Sequence, residues 1–585
     1  MLLYMLAFIL CFLLSIAPLN RLAGATFLQA LPTNTLLISV GTWLPIDLGF
    51  SSNAHDSQVT THVVLLLAFI ALAFLIYGLC AWSIQRRPLQ DNYKRTLRLI
   101  WLGTCITGLV FILAPGMLSH DAFVYAGYGR VLAVHGANPY FVPLTTYPHD
   151  PALALDDWKN APAAYGPLWL IICALSSLSP DASFLQYLLT YRMLGFAAHL
   201  LNTLLVMNIL RTMGHSPRTI ALGTLLYAWN PLALLESCLG GHNDTFMVTL
   251  ILLGMLYCVR AERKVIKSFS DLRYFIPSLV AFTLATLIKF TAAPLIVLLL
   301  IWIARKTLSV PGSLSTMQLR LGTSFSPSNV KETINRGRAE AGPYADNSKT
   351  GGDSGRAEAG PYPMTENSVH LEWRRMFLMV IAAGLLSGVL ALAFYAPFWI
   401  GHSIPAILQS FTSPPSAKQA YGSIMFAILK WIWAHGLPGQ GWLAQSLYVL
   451  SLHGTWNAIN LLTVIVTMSV GGFWIWRVPA TRTLALASLG VLGALLIVTP
   501  WFFPWYVIWL VGLAAICVPI MHDRVARALV CSTLVFSASA FCIYLYYRGV
   551  PPLGSWIGFT FLTTIGPPIL MLVAAACVCR RSGET

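Results

Sequence analysis

Several stretches of this 585-residue chain combine residue types that can do chemistry. The richest lies within 116–166 and its close. It holds Ser119-His120-Asp121, an aromatic and glycine-rich continuation through Tyr125, Tyr128 and Arg130, then His135-Gly136-Ala137-Asn138-Pro139-Tyr140, and ends on Tyr165-Gly166-Pro167-Leu168. Asp121 follows closely on an apolar run. A carboxylate drawn partly out of water gains proton affinity, which suits a general base. If 121–134 is a helix, Tyr125 and Tyr128 stand one and two turns beyond Asp121. Aromatic faces beside a carboxylate suit a sugar ring, which is apolar on its C–H face and rimmed with hydroxyls. An interfacial aromatic belt with a capping Asp would account for the same composition.

A second stretch, Gly240-Gly241-His242-Asn243-Asp244, falls between two apolar runs. The glycines permit a sharp turn. His242, Asn243 and Asp244 offer donors, acceptors and a charge, and either Asn243 or Asp244 would also cap the following helix. Lys289 lies deep in an apolar run. A lysine there is costly and points to function, with a lipid phosphate as its natural partner, or else it snorkels to the interface. In Thr499–Trp509 two prolines interrupt three tryptophans and Tyr506, a density that shapes a groove as well as a belt; Trp505 and Tyr506 are its candidate contacts. Arg548 follows Tyr544, Tyr546 and Tyr547 and is a second candidate phosphate partner or an interfacial anchor. GxxxxGK[ST], HExxH, CxxC and Asp-x-Asp patterns do not occur, so an ATP-driven engine and a zinc hydrolase of known signature lack support.

The elements that must position these residues are membrane spans. The chain is 57% hydrophobic and 10% charged, against about a quarter charged in soluble domains. Its net charge of +15 is a topology signal and not a nucleic-acid footprint. Lys and Arg gather in short segments between apolar runs, such as Arg86–Arg98 and Arg260–Arg273, and the positive-inside rule assigns those segments to the cytoplasm. Spans are expected near 2–19, 62–84, 98–115, 185–210, 219–236, 243–259, 274–288, 290–304, 376–397, 456–476, 483–499, 505–521, 528–547 and 556–578. Residues 2–19 read as a first span and not as a cleavable leader. Residues 167–178 are too short to span comfortably and read as a membrane-dipping helix on the outer side. Two short helices meeting near Lys289 and Phe290 explain the basic flanks on both sides of 274–304.

This pattern predicts an all-α polytopic membrane protein of about 12–14 transmembrane helices. It divides into a region 1–304 that includes the outer loop 116–166, a segment 305–375, and a region 376–585. The segment 305–375 is polar and carries the octapeptide GRAEAGPY twice, at 337–344 and 355–362. It reads as a disordered cytoplasmic loop without a catalytic role. Eleven cysteines are scattered, with none in 20–61 or 116–166, which argues against a disulfide framework. Cys577 and Cys579 beside Arg580 and Arg581 are placed for acylation, although small apolar helix residues account for them more simply.

The Asp121 segment, the Gly-Ala-Asn-Pro-Tyr stretch, the Tyr-Gly-Pro-Leu close, His242-Asn243-Asp244, Ile288-Lys289-Phe290-Thr291-Ala292-Ala293-Pro294 and Pro504-Trp505-Tyr506 together resemble the multi-spanning GT-C glycosyltransferases. The likeness is strongest to bacterial polyprenyl-phosphate-mannose-dependent α-1,6-mannosyltransferases and covers roughly 95–520. It implies a GT-C-like bundle with a catalytic first large outer loop in a multi-pass cell-membrane protein, its active site on the non-cytoplasmic side. It also implies transfer of a hexose, mannose by resemblance alone, from a polyprenyl-phosphate donor to a glycolipid or glycan acceptor, with inversion. Asp121 would be the base, Lys289 or Arg548 would stabilise the leaving phosphate, and no cofactor or metal ligand is assigned. Further substrate contacts would come from His120, Tyr125, Tyr128, Asn138, Tyr140, Tyr165, His242, Asn243, Asp244, Trp505 and Tyr506. One departure is that Asp121 is flanked by His120 and Ala122, where many relatives carry a second acidic residue. Asp150, Asp156, Asp157 and Asp244 are the reserve carboxylates. The alternative class is a secondary transporter or flippase, for which the lysine in a broken helix is the best argument.

Overall fold

The computed structural model describes residues 1–22, 56–86, 92–114, 117–308, 366–412, 455–499, 501–544 and 561–577. Among them the chain is all α, with no strand. In chain order the helices are α1 (Leu2–Leu22), α2 (Asp56–Arg86), α3 (Tyr93–Leu113), α4 (Asp121–Ala133), α5 (Pro167–Ser176), α6 (Phe184–Thr212), α7 (Pro217–Ala228), α8 (Pro231–Cys238) and α9 (Asp244–Ala261). They continue as α10 (Ile276–Ile288), α11 (Ala293–Thr307), α12 (Glu366–Trp399), α13 (Ile404–Thr412), α14 (Thr455–Arg477), α15 (Thr481–Val498), α16 (Ile508–Cys517), α17 (Arg524–Ser539) and α18 (Gly566–Cys577). Ten helices among the described residues are long and apolar enough to cross a membrane, and four shorter apolar segments accompany them. The protein is an all-α polytopic membrane protein. On α12, Leu385, Val389 and Leu392 stand about 60% exposed (62%, 63% and 58%), an apolar surface that only lipid covers favourably.

Local chemistry sets the helix ends. Ser183 and Gln186 form a reciprocal capping box at the start of α6, and Ser216 with Pro217 starts α7. The expected single span at 219–236 is instead two helices. Asn230 Oδ1 accepts from the Ala233 N–H at 3.0 Å and Pro231 opens α8, so an N-cap followed by proline interrupts the apolar run. The expected span at 505–521 likewise divides into a 3-10 turn over Pro504–Val507, then α16, then a second 3-10 turn over Val518–Ile520. Lys289 takes an extended conformation (φ −151°, ψ 125°) between α10 and a 3-10 turn at Phe290–Ala292, so two short helices do meet there. Helix α12 begins at Glu366, within the segment read as a polar loop. The repeated octapeptides, Arg548, Tyr546, Tyr547, Cys579 and Arg580–Arg581 lie outside the described residues.

Residues 117–183 form a lid of short elements. Helix α4 packs on α5, and α5 packs on α10 and α12. The Gly166 N–H donates to the Ile288 carbonyl at 3.0 Å. A Cβ at Gly166 would lie 2.1 Å from the Leu287 carbonyl oxygen, so only glycine brings the end of the lid this close to Lys289. At the other end of the lid, Arg130 Nε lies 2.9 Å from both oxygens of Asp150, and His135 Nε2 lies 2.7 Å from Asp150 Oδ2. Burial opposes the charge of Asp150, but the bonds from His135, the Ala152 N–H and Arg130 outweigh it and hold the carboxyl below its ordinary range. Beneath the lid Arg192 is fully buried on α6 and donates to the carbonyls of Leu239, Ile112 and Ala114. One guanidinium thereby satisfies carbonyls at the ends of α3 and α8.

Candidate active site

Asp121 is the first residue of α4, and its N–H donates to Ser119 Oγ at 3.2 Å. Its side chain keeps 13% of its exposure, enough for a small group to reach it. Two partners of its carboxylate meet Oδ2: His242 Nδ1 at 3.2 Å and the Tyr125 hydroxyl at 3.4 Å. Tyr125 lies one turn along α4, and its single hydroxyl proton serves either Asp121 Oδ2 or Asn243 Oδ1, each 3.4 Å away. Gly241, at φ +64°, turns the chain so that His242 and Asn243 face α4, and a Cβ there would press on the Tyr191 backbone at 2.9 Å. Burial favours the neutral form of Asp121. Hydrogen bonds from His242 and Ser119 and the charges of His242 and Lys289 outweigh it and hold the carboxyl below its ordinary range. The expected rise in proton affinity from desolvation is therefore reversed, because the group is paired as well as buried.

Lys289 Nζ lies 2.7 Å from Asp244 Oδ1, over the Tyr506 ring at 3.8 Å and within 5.1 Å of the Trp509 ring. Trp509 Nε1 donates to the same Asp244 oxygen. Trp505 stacks on His242 with centroids 4.0 Å apart, and Tyr165 packs edge-on to Tyr125 at 5.4 Å. Three polar atoms of this cluster, His242 Nε2, Asn243 Nδ2 and Asp244 Oδ2, are buried without a hydrogen-bond partner. Such atoms are rare in folded proteins and call for a water or a ligand.

The structure thus brings together Asp121, Tyr125, Tyr165, His242, Asn243, Asp244, Lys289, Trp505 and Tyr506. The other expected residues go elsewhere. His120 turns outward to Asp157 at 3.1 Å, an exposed pair. Asn138 donates to the Phe398 carbonyl and accepts from the Tyr140 N–H at 3.1 Å, which docks the lid on α12. Tyr128 packs on Tyr165 and reaches toward the Pro162 carbonyl at 3.5 Å. Tyr140 donates to the Tyr165 carbonyl at 2.8 Å. It also lines a cavity of about 150 Å³ with Ala163, Phe290, Tyr395, Trp399 and Phe411. Among the reserve carboxylates, Asp150 is bound to Arg130 and Asp156 is buried with Oδ2 unpartnered. Burial raises the Asp156 carboxyl to about 7.

Three participants had not been singled out as site residues from the sequence. Glu236 lies on α8 with Oε2 3.2 Å from His242 Nε2, and its Oε1 accepts from the Tyr544 hydroxyl at 2.8 Å. In the sequence Trp509 is one member of an aromatic run and Tyr544 one neighbour of Arg548. Glu236 did carry a signal, a lone carboxylate inside an apolar run, of the kind that made Lys289 conspicuous.

Residues 32–305 match the family described as alpha-(1->6)-mannopyranosyltransferase, N-terminal domain. A stretch of 208 residues is 27% identical to a "probable alpha-(1->6)-mannopyranosyltransferase" of Mycolicibacterium smegmatis, covering 35% of this chain and 34% of that protein. A stretch of 150 residues is 25% identical to alpha-(1->6)-mannopyranosyltransferase A of Corynebacterium glutamicum, covering 26% of this chain and 30% of that one. The matches therefore span about a third of the length of these curated relatives. No solved structure matches the chain.

Proposed function

We propose that this chain, whose residues 32–305 carry the N-terminal domain of the alpha-(1->6)-mannopyranosyltransferase family, is a mannosyltransferase that uses a polyprenyl-phosphate-mannose donor. The acceptor is a glycolipid or glycan hydroxyl, and transfer proceeds with inversion at the non-cytoplasmic face. The observation that carries this reading is a carboxylate, Asp121, and an ammonium, Lys289, each with 13% of its side chain exposed, in one aromatic-walled site. Asp121 meets His242 and Tyr125 through Oδ2, which leaves a lone pair on Oδ1 for an acceptor O–H. Lys289 lies close enough to help hold Asp121 ionised and sits at the break between α10 and α11.

In this reading the acceptor oxygen attacks the anomeric carbon, the bond to the phosphate breaks, and the acceptor's proton passes to Asp121. The phosphate leaves with the bonding electrons. It is already an anion, so no general acid is required, and Lys289 stabilises the growing charge. A weakly basic carboxylate suffices when the acceptor loses its proton late, after the sugar–phosphate bond has loosened. Tyr165 and Tyr506, both partly exposed, supply faces for the sugar, whereas Tyr125 is fully buried and Trp505 is stacked between His242 and Phe503; the unpartnered Asn243 Nδ2 and Asp244 Oδ2 supply polar contacts for its rim. The aromatic cavity beside Phe290 gives the first apolar units of the lipid a place next to Lys289.

The test is transfer from purified polyprenyl-phosphate-mannose to a lipid acceptor by detergent-solubilised protein, with Asp121→Asn and a chelator in parallel. Wild-type product that survives chelation, with a loss of about 10²–10⁴-fold in Asp121→Asn, is expected. Near wild-type turnover in that variant would move the base elsewhere. Failure with mannose, glucose and arabinose donors, together with solute uptake in proteoliposomes, would replace the transferase with a transporter.

A further inference from the structure

His242 is gripped on three sides. Asp121 faces Nδ1 at 3.2 Å, Trp505 covers the ring at 4.0 Å, and Glu236 faces Nε2 at 3.2 Å. Glu236 is itself buried, its side chain 1% exposed, and it is held by the Tyr544 hydroxyl from beyond α17. The turn that joins them is tight: the His242 N–H points back to the Glu236 carbonyl at 3.4 Å, and a Cβ on Gly240 would strike the His242 ring at 2.4 Å. The result is a buried line of carboxylate, imidazole and carboxylate, of which only Asp121 opens toward a ligand. Lys289 and Asp244 form the neighbouring ion pair.

We infer that Glu236 is a positioning residue for the transfer: it holds a charged His242 against Asp121 Oδ2 and supplies the counter-charge that remains when Asp121 is neutralised. The inference rests on Asp121 being the base. In the step itself the acceptor O–H proton moves to Asp121 Oδ1. Asp121 then no longer balances His242, and a buried cation without a partner is costly. Glu236 prevents that imbalance without touching substrate. A glutamine could still bond Tyr544 and fill the same volume, so shape alone does not explain a carboxylate at this depth. Burial opposes the charge of His242, but Asp121 and Glu236 outweigh it and raise the imidazolium to about 9. Removing the Glu236 charge therefore lets His242 lose its proton at lower pH.

The experiment compares Glu236→Gln, Glu236→Asp and Asp121→Asn with wild type in the transfer assay, with kcat, donor KM and the pH profile of kcat read per folded protein. Glu236→Gln is expected to lower kcat about 10–100-fold, short of losing the base itself. Donor KM should stay within about twofold and the alkaline limb should move down by about one pH unit. Glu236→Asp keeps the charge on a shorter arm; its kcat should fall while its alkaline limb stays in place. Wild-type kcat and profile in both variants would overturn the inference. If the Gln variant does not fold, an unchanged kcat in Glu236→Asp overturns it alone. An inactive Asp121→Asn beside a silent Glu236→Gln removes only this inference, whereas an active Asp121→Asn removes the reading on which it rests.

Discussion

A lysine and an aspartate that share a buried site are worth more as a pair than either is alone. Replacing Lys289 by Gln leaves Asp244 charged and buried against Trp509, a situation that costs about 3–5 kcal/mol. Lys289→Gln should therefore lower both Tm and transfer. Adding Asp244→Asn should recover Tm without recovering transfer, because in the proposed mechanism the leaving phosphate still lacks its cation; thermal unfolding and the transfer assay on the same samples check this. Recovery of both would make the pair purely structural. Asp156 gives a pH-dependent case. Its carboxyl is raised to about 7 by burial, so between its unfolded value near 4 and about 7 the folded state binds more protons and loses stability as pH rises. Asp156→Asn should therefore gain about 1–3 °C in Tm at pH 7.5 and show no gain at about pH 3 and below, where both states are largely protonated. An equal effect at both pH values would place the cause in packing. Asp121, the His242–Asp244 group and Lys289 were legible in the sequence because charged and polar residues are conspicuous beside apolar runs. The sign of the Asp121 shift was not legible, since it depends on His242, 121 residues away in the chain. Glu236 is less legible because it falls at the end of an apolar run that reads as a span.

At the scale of elements, the long helices were legible from apolar length alone, and the break at Lys289 from the basic flanks that demanded it. The division of 219–236 at Asn230-Pro231 is not legible from apolar length, because hydropathy averaged over a span hides a single cap. The lid was legible as a loop but not as a docked structure, since its anchors are backbone groups: the Phe398 carbonyl for Asn138 and the Ile288 carbonyl for Gly166. The turn before α9 is the element on which the site depends most closely. Gly241→Ala forces a left-handed residue with a Cβ against the Tyr191 backbone, at a cost of at least about 1–2 kcal/mol. A lower Tm and a fall in kcat per folded protein are both expected, because the same turn aims His242 at Asp121. A loss of Tm with full kcat would show that the imidazole finds Asp121 without the turn.

For the whole molecule, composition alone identified an all-α membrane protein, and the basic segments suggested its orientation. The count of spans was less legible, since ten helices among the described residues reach spanning length and several apolar runs are divided. Deleting 330–362, which removes both octapeptides and stops short of α12, should change transfer by less than about twofold, as measured on membranes with matched protein levels. The site itself reaches across that segment. Asp121, Glu236, His242, Asp244 and Lys289 precede it, whereas Trp505, Tyr506, Trp509 and Tyr544 follow it. The stretch that matches the family model, ending at residue 305, therefore holds every charged member of the cluster but none of the aromatic clamp on Lys289 or the hydroxyl that steadies Glu236. Two separately made halves, severed between α11 and α12, would each be chemically mute, and catalysis would return only on their reunion in one bilayer, making complementation of fragments a direct assay for assembly of the site.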